Sequence, residues 1–189
     1  MHKRSLAQAQ QCVNTRGMGL FNTLFRQAEP REALRPLYDA VVAAARAPDW
    51  YDVGAVPDTI DGRFDMVALV LALVLFRMEA LGDEAARGSA LLTEVFINDM
   101  DGNLREIGIG DLVVGKHIGK MMSALGGRLS AYRETRGDDA ALKGALVRNV
   151  YRGVPPSEEA LTTVVTRVSA LDRQIGGQSL AALLSGSLG

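Results

Sequence analysis

Cysteine and histidine are nearly missing from this 189-residue chain, which has one of the former, Cys12, and two of the latter, His2 and His117. A lone cysteine excludes an intramolecular disulfide framework and any zinc or iron–sulfur site built on several thiolates. Two histidines cannot assemble a multi-histidine metal site. Aromatic residues make up only 5% of the chain, so its core must come mainly from Ala, Leu, Val, Ile and Met. Neither sign of charge is in excess, with 21 Lys+Arg against 22 Asp+Glu. A dedicated nucleic-acid binder carries a clear basic surplus, so DNA is not an expected partner. Long hydrophobic runs are also lacking. The longest, Met66 to Phe76, spans eleven residues, about 16 Å as a helix, whereas a bilayer core needs about 20 residues. The first residues have a basic start but no apolar stretch of signal-peptide length. These absences predict a soluble protein of a reducing compartment, touching a membrane only peripherally, with no cofactor and no metal.

What is present is helical periodicity. At 48% hydrophobic residues the chain can bury a sizeable core. Residues 1–17 read as a flexible extension, and 18–189 as a single all-α domain, a bundle of six to eight helices. A short amphipathic piece is expected over 19–27, with Leu20, Phe21, Leu24 and Phe25 on one face. A helix follows over 36–47, ended by Pro48. The apolar segment 63–81 has hydrophobic residues nearly all the way round, which predicts the central, buried helix, stopped by Gly82. Further helices are expected over 83–98, 111–136, 140–151 and 157–174, with a short helix or structured turn over 99–110 and a final turn near 178–184. Alternation of β-branched residues is not sustained anywhere, so strands are not expected.

Near-neutrality hides segregation. Residues 49–111 hold 13 acids and 4 arginines, while 112–152 hold 8 basic residues and 3 acids. Either the two neutralise each other within the fold, or they form a bipolar surface for partners of opposite charge. The acids cluster in VPDTIDGRFDM (56–66) and FINDMDGNLREIGIGDLVVGKHIGKM (96–121). Asp58, Asp61, Asp65, Asp99, Asp101, Glu106 and Asp111 together would suit a hard cation or carboxylate catalysis. Arg63 and Arg105 among them argue instead for ion pairs, with Asp61 and Asp111 capping the helices that follow. The EF-hand-like start at Asp99 fails, because Leu104 and Gly110 stand where Gly and Glu are needed. Gly110 to His117 imitates a P-loop but puts His117 in place of the hydroxyl, with no strand before it. Gly115, Gly119, Ser123 and Gly126-Gly127 instead form a smooth strip for close helix approach, with Val114, Ile118, Met122 and Leu125 turned to the core.

Ala45-Arg46-Ala47-Pro48, Tyr51, the two acidic motifs, Gly127-Arg128 and Ala131-Tyr132 together resemble the ubiquinol–cytochrome c chaperone family, over about 37–151. That resemblance implies a helical, non-catalytic bacterial member that holds newly made cytochrome b and supports assembly of the cytochrome bc1 complex. It further implies a cytoplasmic protein at the inner face of the cytoplasmic membrane, with a ribosome and a small partner protein as in mitochondrial relatives. On that expectation Asp58, Asp61, Asp65, Asp99, Asp101 and Asp111 supply acidic contacts to a client. Arg63, Arg105, Lys116 and Lys120 organise them or bind the opposite sign. An internal salt-bridge network is the competing arrangement for the same charges. The other readings of the chain are a carboxylate-based metal-dependent hydrolase and a ribosome- or membrane-surface adaptor.

Overall fold

In the computed structural model the described residues are 31–106 and 111–189, with backbone alone described for 103–106 and 111–118. They are helical, with no strand among them. The expected extension over 1–17 and the amphipathic piece over 19–27 lie outside the described residues. A 3₁₀ turn, Glu32–Leu34, leads into α1 (Arg35–Ala45) and α2 (Pro48–Asp52). Then come α3 (Ile60–Ala80), α4 (Asp83–Glu106) and α5 (Asp111–Glu134). The C-terminal part holds α6 (Asp139–Asn149), α7 (Glu158–Gly176) and α8 (Leu180–Leu184).

Local signals set most boundaries. Pro48 opens α2, where its missing N–H costs nothing. Asp138 caps α6 by accepting from the backbone N–H groups of Ala140 and Ala141, and Ser157 caps α7 through Ala160. Gly82 takes the left-handed backbone that ends α3. Two expectations need correction. The cap of α3 is Thr59, whose hydroxyl accepts from Gly62 N–H at 3.0 Å, and Asp61 lies inside the first turn. The segment after Asn98 does not form a separate turn but continues α4 to Glu106. Gly102 alone costs that helix only about 1 kcal/mol relative to alanine. About two turns earlier, Val95 and Phe96 are buried, and one turn earlier the Tyr38 hydroxyl donates to Asp99 at 2.8 Å.

Helix α3 is buried from Asp65 through Phe76 without a break. It packs against α1, α4, α5 and α7, which explains why its sequence is apolar on every side. Leu34, Leu37, Tyr38 and Val41 cover it from the N-terminal side, and Val164, Val165 and Val168 from α7. Leu125 and Tyr132 are the contributions of α5. Met122, expected in the core, is exposed instead. The small strip on the same helix faces open space at Gly119, Gly126 and Gly127.

The four tyrosines of the chain are all drawn inward. Tyr38 donates to Asp99, Tyr51 to the Ala45 carbonyl at 3.0 Å, and Tyr151 to the Gly54 carbonyl at 2.6 Å. The Tyr132 hydroxyl is buried without a hydrogen-bond partner among the described residues. Burial pushes each phenol above its ordinary value, Tyr151 to about 12. An acid raised in the folded state stabilises the fold fully below its unfolded pKa of about 10, and that contribution is lost as pH rises through the folded value. In an alkaline titration followed by tyrosinate absorbance, the folded protein should therefore show no phenol ionising near pH 10. All four should ionise there in denaturant. A phenol titrating normally in the folded protein would contradict this packing.

Candidate functional site: a buried carboxylate between two loops

The motif over 56–66 is folded around its own backbone. A methyl group at Gly62 would lie 2.0 Å from the Pro57 carbonyl oxygen, so only glycine lets the loop turn so tightly into α3. Gly54 is equally confined: a methyl there would meet the Trp50 carbonyl oxygen and Val164 Cγ2, each at 2.5 Å. Ahead of the helix, Asp58 takes two hydrogen bonds from Arg63, at 2.5 and 3.1 Å, both side chains being more than half exposed. The Arg63 hydrogen bond holds the Asp58 carboxyl below the usual carboxylate range.

One turn into α3 the chemistry changes. Asp65 is 0% exposed. Its Oδ1 accepts from Arg128 of α5 at 2.5 Å, and its Oδ2 from Nε of Arg152, in the loop after α6, at 3.1 Å. Arg152 also reaches Asp61 Oδ2 at 2.9 Å, so one half-exposed guanidinium bridges both acids. Arg128 keeps only 14% of its side-chain surface and lies over the Phe64 ring, 5.4 Å from its centre. Phe64 in turn meets Phe96 of α4 at 5.8 Å. Burial pushes the Asp65 carboxyl up, and the two arginines pull it part of the way back. Charge at this depth is costly unless each oxygen is paired, and here both are.

The second loop, 150–157, is locked to the first, 53–59. Tyr151 reaches across to the Gly54 carbonyl, and Arg152 holds its pairs from a left-handed backbone with φ +53°. Ala55, in the first loop, has φ +52°. Such a conformation costs a residue with a side chain about 1–2 kcal/mol. Among the described residues these are the two non-glycine positions that adopt it, and both lie in the joined loops.

Residues 53–188 match the profile of a family described as ubiquinol-cytochrome C chaperone. The chain belongs to that family. The matched region begins in the first loop and takes in Asp65, Arg128 and Arg152 alike. The chain is also similar to the crystal structure of the Cbp3 homolog from Brucella abortus, which superposes with a TM-score of 0.75 at 30% identity, covering 88% of this chain and 93% of that one. No curated protein sequence matches.

The charges singled out in the sequence occupy different places. Asp58, Asp61 and Arg63 are exposed at the rim of the loop, whereas Asp65, expected among the client-facing acids, is spent inside the fold. Asp99 and Asp101 are half-buried on α4, where Asp99 is tied to α1 through Tyr38. Lys120 is exposed on α5. The side chains of Arg105, Asp111 and Lys116, with the capping expected of Asp111, lie outside the described residues, as do Val114 and Ile118. Part of the acidic stretch pairs with the basic one. Besides the Asp65 centre, Arg133 of α5 pairs with Glu79 of α3 at 2.7 Å. Among the described residues no group of three or more His, Cys, Asp or Glu converges as metal ligands would. Arg128, Arg152 and Tyr151 received no role from sequence reasoning. Gly127-Arg128 was visible in the family pattern, but nothing in the sequence around Arg152 signals a left-handed arginine.

Proposed function

We propose that the protein is an assembly chaperone that binds newly made cytochrome b and supports assembly of the cytochrome bc1 complex, acting as a holder and not as an enzyme. The observation that carries this reading is the family match, which runs through every segment of the Asp65 centre. The chemistry of the client agrees. Cytochrome b is a polytopic membrane protein with apolar helices and basic cytoplasmic flanks. A chaperone for it gains from exposed acids such as Asp58 and Asp61 set on a rigid support. No helix among the described residues is long and apolar enough to cross a membrane. Contact with the inner face of the cytoplasmic membrane is therefore proposed to be peripheral. A ribosome and a small partner protein are proposed as further contacts on the strength of the family resemblance. The test is retrieval of pulse-labelled cytochrome b with the affinity-tagged protein. A labelled cytochrome b band absent from an untagged control is expected, and its absence would sink the proposal.

A further inference from the structure

We draw no further inference here: the strongest candidate, the exposed face of α5 that carries Met122 with Gly119, Gly126 and Gly127, is a stripe of small residues around one apolar side chain, and nothing in the structure shows what covers it.

Discussion

An Asp65→Ala protein is expected to unfold about 3–5 kcal/mol more easily than the parent, the range seen when one partner of a buried ion pair is removed. The cost does not lie in the lost carboxylate itself. It lies in what remains: the Arg128 guanidinium, at 14% exposure, would lose the partner that lets it stay under the protein surface. Its Nε already lacks a hydrogen-bond partner among the described residues, and what would remain is one bond from Nη1 to the Ala124 carbonyl at 3.2 Å. For a chain of this length the change corresponds to a melting temperature lower by about 6–20 °C. A double-mutant cycle separates the two arginines. Coupling of Asp65 to Arg128 should exceed its coupling to Arg152, because Arg152 is half exposed and solvent screens it. Equal couplings would mean that exposure does not rank the two arginines, and an Asp65→Ala protein as stable as the parent would mean that the carboxylate does not anchor α5 and the second loop to α3.

Trp50→Ala is expected to cost about 3–5 kcal/mol as well, by a different route. The indole is 3% exposed, donates its N–H to the Ala44 carbonyl at 2.8 Å, and carries the Arg167 guanidinium 4.9 Å from its ring centre. Arg167 is held there by Asp49 of α2. Removing the ring opens a cavity, takes one of the donors from the Ala44 carbonyl, which keeps the Ala47 N–H at 3.3 Å, and leaves the Arg167 guanidinium without the ring beneath it. Trp50→Phe should keep most of the packing and lose about 1 kcal/mol for the missing hydrogen bond. Chemical denaturation of the three proteins, followed by far-ultraviolet circular dichroism, measures both differences. If phenylalanine proved as damaging as alanine, the N–H bond and not ring volume would be the main contribution.

The contrast between these two sites also marks how far sequence alone reaches. Helix α3 was legible because its neighbours surround it, so burial on every side is written into an uninterrupted apolar run. Caps at Asp138 and Ser157 and the stop at Gly82 are local in origin and were readable locally. Met122 was misplaced because helical spacing identifies a face without saying whether another element covers it. The boundary at Asn98 failed for a related reason. Polar residues suggested a turn, but Tyr38 and the buried Val95 and Phe96 support the helix from outside the segment.

The site divides in the same way. Clustered acids in VPDTIDGRFDM were visible, and so was the pairing of Arg63 with a neighbouring acid. That Asp65 is buried while Asp58 and Asp61 stay exposed was not visible, because helical phase alone does not say which turn meets α5. Arg128 and Arg152 come from positions 63 and 87 residues further along the chain. A long-range pair of that kind leaves no periodicity. Of the opposed charges of 49–111 and 112–152, Asp61, Asp65 and Glu79 meet Arg128, Arg133 and Arg152 across the fold, while Asp52, Asp58, Asp83 and Glu84 are exposed.

In the proposed function, this chain supports the making of the cytochrome bc1 complex through its cytochrome b subunit. Deletion of its gene, followed by measurement of cytochrome b by difference spectroscopy and of ubiquinol–cytochrome c reductase activity in membranes, tests that claim most directly. Both are expected to fall together and to be restored by the intact gene. Normal cytochrome b and normal activity in the deletion strain would contradict the proposed function.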